Sequence, residues 1–318
     1  SVNQPSNEAN QEEQAKQGGS MTEQGDSSDS SSGAEAGSST QYPLTVLDAS
    51  GEEWVLEQAP QRIVSASPAE TEILFALGLG DKIVAVSDFC DYPAEAAEKD
   101  KVGGIVEPNI EAILAADPDL VVTGISLKEE LVGQMRGLGL NVYASAPRTV
   151  EEIFENIERL GEVTDTREQA EQLIAEMRAE LERVTEAVSD LDAEEKKRVY
   201  VEFAPGWTVG RGEFLHELIE LAGAVNIAED VEGWAQINEE KIIQDNPEII
   251  IIPEGLVDYE TNKSIETLIM ERNGWGQIEA VETGNLHAID QDLLTIPGPR
   301  IIQGLVELAS AIYPDRVN

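Results

Sequence analysis

The spacing of hydrophobic residues along the chain changes several times, and each change predicts a different secondary-structure element. From 42 to 60, apolar and polar residues alternate on both sides of Ser50-Gly51, which predicts a β-hairpin. Short apolar runs then alternate with segments of helical spacing. The predicted strands are 62–67, 82–87, 120–124 and 141–145, with helices beginning near Ser67, Asn109 and Lys128. Strands that alternate with helices indicate an α/β fold with a parallel sheet covered on both faces.

The segment from Thr164 to Leu191 has a longer helical pattern. Its apolar residues recur at spacings of three and four, and it contains neither Gly nor Pro. The pattern predicts one amphipathic helix about 40 Å long, at 1.5 Å per residue. A second strand–helix pattern follows it. This pattern begins at 196–203, includes apolar strands at 248–253 and 285–290, and ends in a helix from about Gly298 to Ile312.

A short signature occurs once in each half of the chain, at 108–122 and 236–251. In each copy an asparagine precedes a glutamate by two residues, and a proline lies seven residues after the glutamate. The pairs are Asn109 with Glu111 and Asn238 with Glu240. Each asparagine is the expected helix cap. Each glutamate either complements the positive end of its helix or forms one of two equivalent exposed acidic contacts.

The repeat predicts two similar parallel-sheet lobes joined by the long helix. We place an N-terminal lobe at 42–160, the linking helix at 161–195 and a C-terminal lobe at 196–318. Residues 1–41 are mostly Ser, Gly, Gln, Asn and Glu, and are predicted to be a disordered leader. Such a leader serves either as a spacer behind a lipid anchor or as an incidental tail. The chain starts without Met or a signal peptide, which is typical of a mature or trimmed form.

Composition narrows the range of partners. The chain of 318 residues has 63 acidic and 21 basic residues, and its formal net charge is −42. This charge disfavours nucleic acid and anionic lipid headgroups as partners. The acidic residues are spread along the chain, which is typical of a surface adapted to salt or high pH. The single cysteine, Cys90, excludes an intrachain disulfide. No apolar run approaches the ~20 residues of a membrane helix.

The sequence motifs of common enzymes and metal sites are missing. The chain has no glycine-rich phosphate loop, no GxGxxG, no GxSxG and no HExxH. Ser67 is best interpreted as a helix cap, with Glu70 closing a capping box. The two histidines, His216 and His287, fall within a predicted helix and a predicted strand, so a zinc or manganese site is not expected. Tyr92 is a candidate haem ligand by position only, since Pro93 indicates a turn.

Four segments together resemble the binding proteins that serve ABC importers of cobalamin, haem and iron-siderophores. They are 62–93, 106–122, 214–230 and 297–314, and the resemblance extends from about Tyr42 to Asn318. It implies two α/β lobes bridged by one rigid helix, with ligand held in the cleft between them. It also implies an extracellular, lipid-anchored protein without enzyme activity or cofactor, acting as a monomer. Within this class, one glutamate per lobe docks on the permease, and Glu111 and Glu240 match those positions.

The nearest resemblance is to the cobalamin-binding branch. The segment SDFCDYP (87–93) resembles its first-lobe ligand loop, while a tryptophan of that branch has no equivalent near Gly104 and Ile105. A large, nearly planar and poorly charged ligand suits a pocket of aromatic faces. The expected ligand contacts are Phe89, Cys90, Phe203, Trp207, Trp234 and Asp292. Because Arg148 and Arg211 could reach the cleft, an anionic siderophore is the alternative ligand, and haem is a further alternative. Trp54 and Trp275 are interpreted as packing or surface residues.

Overall fold

The structure of the protein is a computed structural model that describes residues 39–258 and 261–317. All but the last three residues of the predicted disordered leader lie outside these residues. Thr40 is buried, and its N–H and hydroxyl donate to Asp165 Oδ1 and to the Glu162 carbonyl, at 2.7 and 2.8 Å. The folded body therefore begins slightly before the predicted boundary at Tyr42.

The first lobe contains a five-stranded parallel sheet and a separate hairpin. The hairpin pairs β1 (Leu44–Leu47) with β2 (Glu53–Leu56), as the alternating pattern predicts. The sheet has the order β5-β4-β3-β6-β7. Its strands are β3 (Ile63–Ser65), β4 (Ile83–Val86), β5 (Asp100–Lys101), β6 (Leu120–Thr123) and β7 (Val142–Ala144). The helices are α1 (Pro68–Ala76), α2 (Ala94–Ala97), α3 (Ile110–Ala115), α4 (Glu129–Gly137) and α5 (Val150–Val163).

The second lobe combines a four-stranded parallel sheet with a short antiparallel ribbon. The sheet has the order β10-β8-β12-β13. Its strands are β8 (Arg198–Val201), β10 (Val225–Asn226), β12 (Ile249–Pro253) and β13 (Leu286–Ile289). The ribbon pairs β9 (Trp207–Val209) with β11 (Trp234–Gln236). The helices are α7 (Phe214–Leu221), α8 (Glu239–Asp245), α9 (Ile265–Glu271), α10 (Glu279–Thr283), α11 (Gln291–Thr295) and α12 (Ile301–Ile312).

One long helix joins the lobes, but it is shorter than its sequence pattern predicts. Helix α6 spans Arg167–Val188, or about 33 Å at 1.5 Å per residue. The predicted start at Thr164 is wrong because Thr164 ends α5 and Asp165 adopts a left-handed backbone with φ of 59°. The hydrophobic pattern runs on through this turn, which explains the error. No counterpart of α5 is among the predicted elements.

The buried apolar residues of the two lobes form one continuous cluster through α5, α6 and α12. It includes Ile157 of α5, Met177 and Val184 of α6, and Leu305 of α12. A further buried cluster lies in each lobe. Within the described residues, no helix combines the length and the apolar character needed to cross a membrane. The lobes are thus two halves of one packed body.

The predicted capping box at the start of α1 is wrong. Ser67 occupies the N-cap position, but its side chain makes no capping hydrogen bond. Glu70 is 1% exposed, and its carboxyl accepts a hydrogen bond from the Ser145 hydroxyl at 2.5 Å instead. A local sequence pattern cannot anticipate this partner, which lies 75 residues away. Burial of the Glu70 carboxyl raises its pKa.

Candidate functional site

The loop after β4 presents two aromatic side chains at the strand end of the first lobe. Phe89 is 61% exposed, and Tyr92 is also largely exposed. The Asp88 N–H donates to the Gly103 carbonyl at 2.8 Å, and the Lys101 ammonium donates to the Cys90 carbonyl at 3.0 Å. The backbone on both sides of Phe89 is therefore tied to the neighbouring β5 segment. An exposed phenyl ring on an anchored loop is suited to contact an apolar ligand face.

Cys90 does not share this exposure, and the expectation that it contacts ligand needs correction. Its side chain is 1% exposed and forms part of the hydrophobic core. The thiol contacts the hydroxyls of Thr71 and Ser87, at 3.1 and 3.2 Å. Burial raises the pKa of the thiol. Cys90 therefore supports the loop from beneath, while its neighbour Phe89 faces outward.

The second lobe brings three of the predicted aromatic residues together. The rings of Phe203 and Trp234 form an edge contact, with centroids 4.8 Å apart and an interplanar angle of 62°. Trp207 and Trp234 lie on the paired strands of the β9–β11 ribbon, and both indoles are exposed. The Phe203 N–H donates to the Trp207 carbonyl at 3.0 Å, which closes the loop between them. This arrangement offers an aromatic surface formed by the 203–207 loop and the adjoining ribbon.

Asp292 lies in a charged group at the border between the lobes. Its carboxylate is 4.0 Å from the guanidinium of Arg300. Desolvation, together with the charges of Asp290 and Asp91, raises the pKa of Asp292. Arg300 also donates two hydrogen bonds to Glu72 of α1, at 3.1 and 2.6 Å. This ion pair crosses from the second lobe to the first, and it places Asp292 beside the lobe border.

Arg300 is a border residue that the sequence analysis did not assign to the site, and it contacts Tyr92, which the sequence analysis named only as a candidate haem ligand by position. The Arg300 guanidinium lies 3.9 Å from the centre of the Tyr92 ring. Both residues line a cavity of about 870 Å³ beside α1, together with Glu72, Phe75, Pro93 and Lys99. The exposed aromatics Phe89 and Trp234 are not among its lining residues. The contact joins residues more than 200 positions apart, so no local pattern could have revealed it.

The two glutamates of the repeat occupy equivalent places in the two lobes. Glu111 lies in the first turn of α3 and Glu240 in the first turn of α8, and both are exposed. Asn109 caps α3 by accepting from the backbone N–H of Ala112 at 3.1 Å, and Asn238 caps α8 by accepting from the backbone N–H of Lys241 at 2.8 Å. No ion pair within 39–258 and 261–317 involves either glutamate. Each carboxylate is thus held on a capped helix and faces solvent.

The two arginines that kept an anionic ligand as an alternative are each paired with a glutamate. Arg148 lies 3.0 Å from Glu213 of the other lobe, and Arg211 lies 3.9 Å from Glu232. His216 and His287 lie in α7 and β13, as predicted. Among the residues that the structure describes, no group of three or more His, Cys, Asp or Glu side chains could hold a metal ion. The charges of Arg148 and Arg211 are therefore compensated within the protein.

Residues 63–293 match the Periplasmic binding protein family, and the chain belongs to this family. It is accordingly a binding protein and not an enzyme. The two α/β lobes, the single linking helix and the cleft between the lobes agree with this class.

Known relatives cover most of the chain. The uncharacterized ABC transporter substrate-binding lipoprotein YvrC of Bacillus subtilis is 34% identical over 281 residues, 86% of this chain and 87% of that protein. A vitamin B12-binding protein of Vibrio cholerae is 30% identical over 256 residues, 79% of this chain and 88% of that protein. A crystal structure of the periplasmic vitamin B12-binding protein of Vibrio cholerae has a TM-score of 0.69 and covers 81% of this chain and 99% of its own.

A solved structure with a different ligand in its description is equally similar. It is a possible iron-binding, periplasmic solute-binding protein from Staphylococcus epidermidis, with 29% identity and a TM-score of 0.68. It covers 80% of this chain and 100% of its own. The relatives therefore agree on the class of protein and differ in the ligand for which they are described.

Proposed function

We propose that the protein captures cobalamin or a related corrinoid in its cleft and delivers it to an ABC permease. The observation that carries this proposal is the aromatic surface of the second lobe. Phe203 and Trp234 contact each other edge to face, and Trp207 is exposed on the same ribbon. Phe89 supplies an exposed ring from the first lobe. A corrin is large, nearly planar and poorly charged, so aromatic faces with few polar anchors suit it.

The charges near the strand ends support a weakly charged ligand. An anionic catecholate siderophore would need unpaired cations, and Arg148 and Arg211 are each paired with a glutamate. Arg300 is engaged by Glu72 through two hydrogen bonds. Asp292 adds a further carboxylate at the border. An anionic ligand would have to displace these glutamates to reach the three arginines, whereas a neutral corrinoid would not.

The vitamin B12-binding relative from Vibrio cholerae supports the corrinoid, and the possible iron-binding protein from Staphylococcus epidermidis keeps an iron-siderophore or haem as a second candidate. Calorimetric titration with cyanocobalamin, a ferric catecholate siderophore and haemin distinguishes them. We expect cyanocobalamin to bind with a Kd below about 10 μM, near −7 kcal/mol, and to quench tryptophan fluorescence. Tight binding of haemin or the siderophore, without cyanocobalamin binding, would replace the corrinoid claim by the second candidate.

Single substitutions locate the site within this titration. We expect Trp234→Ala to weaken cyanocobalamin binding by about tenfold or more, since aromatic contacts at the centre of an interface contribute on the order of 1.4 kcal/mol or more. Phe89→Ala should weaken it by a smaller factor. Trp54→Phe is the control, because Trp54 lies on the β2 strand of the hairpin. Equal effects of all three substitutions would mean that the ligand binds elsewhere.

Glu111 and Glu240 are proposed to dock on cationic pockets of the permease. Their exposed carboxylates on capped helices, one per lobe, support this role. We expect Glu111→Ala with Glu240→Ala to abolish most ligand transfer to the permease while leaving ligand affinity unchanged, because paired rim charges govern register and encounter. The control is Glu57→Ala with Glu282→Ala, two exposed glutamates of the same lobes. Loss of ligand affinity in the first double variant would contradict the docking role.

The setting proposed for this activity is extracellular, with a monomer held at the membrane by a lipid anchor. The name of the Bacillus subtilis relative, a lipoprotein, supports the anchor. A monomer fits one pair of docking glutamates per chain. Labelling of the native protein with radioactive palmitate, and its mass in solution by light scattering, test the two statements separately.

A further inference from the structure

A buried ion pair lies directly behind the second-lobe aromatic surface. Glu202 follows β8 and immediately precedes Phe203, and its side chain is fully buried. Its carboxylate accepts two hydrogen bonds from the Arg272 guanidinium, at 2.9 and 2.6 Å. It accepts a third from the Tyr200 hydroxyl at 2.9 Å. Both carboxylate oxygens are therefore held in one orientation by groups outside the aromatic loop.

The carboxylate in turn faces the loop that carries the aromatic residues. The Gly206 N–H donates to Glu202 Oε2 at 3.5 Å, near the limit of a hydrogen bond. The loop is closed by the bond from the Phe203 N–H to the Trp207 carbonyl. Gly206 has a φ of 72°, and a Cβ there would lie 2.6 Å from the Ile237 carbonyl oxygen. The turn is thus confined between the carboxylate and the segment after β11, and few other conformations fit.

Arg272 is itself fixed on three sides. It follows the last residue of α9, and its side chain is 12% exposed. Its guanidinium stacks over the Trp275 ring at 4.1 Å, and its Nε lies 4.0 Å from a carboxylate oxygen of Glu239 in the first turn of α8. A planar guanidinium can make the paired bonds to Glu202 and the stacked contact at the same time. The ammonium group of a lysine cannot do both.

We propose that Arg272 is a positioning residue for ligand capture, which acts through Glu202 to fix the loop that presents Phe203 and Trp207. This inference rests on the proposed function, in which those aromatic residues contact the ligand. A buried ion pair adds little net stability compared with well-packed apolar residues. Its distinctive contribution is directional, since bidentate bonds fix the orientation of both partners. The loop orientation is what an aromatic site needs, because ring contacts depend on geometry.

The first lobe contains a matched pair that serves as the control. The Asp48 side chain is fully buried, and its carboxylate lies 2.7 Å from the guanidinium of Arg136, whose side chain is 15% exposed. Arg136 also lies over an indole, that of Trp54, at 5.9 Å. This pair ties the hairpin to α4 and β7 and touches none of the proposed ligand contacts. Loss of either arginine leaves a buried carboxylate without its cation, so the costs in folding stability should be similar.

The test compares Arg272→Met and Arg272→Lys with Arg136→Met. We expect Arg272→Met to weaken cyanocobalamin binding by about tenfold or more, and Arg272→Lys to weaken it by a smaller factor, since one charged hydrogen bond remains. Arg136→Met should lower the thermal midpoint by a comparable amount and leave the Kd within about twofold. Equal loss of affinity in the two methionine variants would reduce Arg272 to a structural role. Unchanged affinity in Arg272→Met would overturn the proposal outright.

A ligand-free measurement separates this inference from the proposed function. In protein labelled with 5-fluorotryptophan, Arg272→Met should shift or broaden the fluorine signals of Trp207 and Trp234. Arg136→Met should move the signal of Trp54 alone. The signal of Trp275 is left out of the comparison because Arg272 stacks on it directly. If Arg272→Met does not fold, Glu202→Gln takes its place.

The two claims then fail in different ways. Absence of cyanocobalamin binding in the unaltered protein would contradict the corrinoid proposal. The fluorine spectra would still test whether Arg272 positions the loop. Unchanged Trp207 and Trp234 signals in a folded Arg272→Met or Glu202→Gln protein would defeat the positioning role, whatever the ligand.

Discussion

At the scale of single residues, burial decides the chemistry more than residue type does. Glu70, Glu72 and Glu202 are all buried glutamates. Arg300 compensates the charge of Glu72, and Arg272 compensates the charge of Glu202. Glu70 has no cation beside it, and its Oε2 atom has no hydrogen-bond partner. Desolvation of an uncompensated carboxylate is costly, so this group is the one expected to favour its neutral form.

Glu70 gives a pH prediction. Because burial raises its pKa in the folded state above that in the unfolded state, the fold binds more protons, and its contribution to stability is full below about pH 4.5. That contribution is lost as pH rises through the folded-state pKa. We therefore expect Glu70→Gln to be more stable than the unaltered protein at neutral pH, with the difference shrinking towards pH 4.5. Urea unfolding of both proteins between pH 4.5 and neutral pH measures this difference in the free energy of unfolding.

The control for this experiment is Glu95→Gln, an exposed residue of the same lobe. It removes one negative charge from a strongly acidic protein without touching the buried carboxyl, so it should change stability little at any pH. If the two glutamine variants show the same pH profile, the effect belongs to overall charge and not to the burial of Glu70.

At the scale of elements, each helix that carries a glutamate of the repeat lies close to a segment that carries an aromatic residue of the proposed site. Strand β11 begins at Trp234 and ends at Gln236, and Asn238 caps α8 two residues later. In the first lobe, the Phe89 loop is bonded to Gly103, and a Cβ on that glycine would lie 3.1 Å from the Asn109 N–H that precedes α3. In each lobe, one short connection therefore sets the position of the proposed ligand contacts relative to the glutamate proposed to contact the permease.

The asparagine caps give the prediction at this scale. We expect Asn109→Ala and Asn238→Ala each to reduce the free energy of unfolding by about 1 kcal/mol, because one helix N–H loses its acceptor. Each should also weaken binding to the permease, because the glutamate lies in the first turn that frays, while ligand affinity stays constant. Asn109→Asp and Asn238→Asp retain an acceptor and should restore both properties. A loss of permease binding that aspartate does not restore would point to the amide itself as a contact.

The repeat shows which parts of the fold and of the candidate site could be predicted from the sequence. The position of Glu111 and Glu240 in capped first turns follows from local spacing, so the sequence predicts it well. The ribbon β9–β11, the turn at Asp165 and the partner of Glu70 depend on contacts between distant segments, and local patterns do not contain them. Cys90 and Phe89 are adjacent in sequence but lie on opposite sides of the loop. Adjacency alone could not separate the buried residue from the exposed one.

At the scale of the whole molecule, two features oppose large movements of one lobe against the other. The main hydrophobic core passes through α6 from lobe to lobe without interruption. Two ion pairs, Glu72 with Arg300 and Arg148 with Glu213, also cross the border. The Glu72–Arg300 pair is largely shielded from solvent, whereas Arg148 of the other pair is exposed. The Arg148–Glu213 pair therefore contributes less to holding the lobes together. Separating the lobes would expose apolar core as well as break these pairs.

We therefore expect ligand binding to change the distance between the lobes by a few ångströms at most. Spin labels at Gln134→Cys on α4 and Glu266→Cys on α9, in a Cys90→Ser background, report this distance in electron double-resonance measurements. Arg300→Met tests which feature limits the motion: if the shared core does, the ligand-dependent shift stays small in this variant too. A shift of about 10 Å or more in the unaltered pair would indicate hinge closure. Such a shift in Arg300→Met alone would assign the restraint to the ion pair, since the core would then be insufficient to hold the lobes.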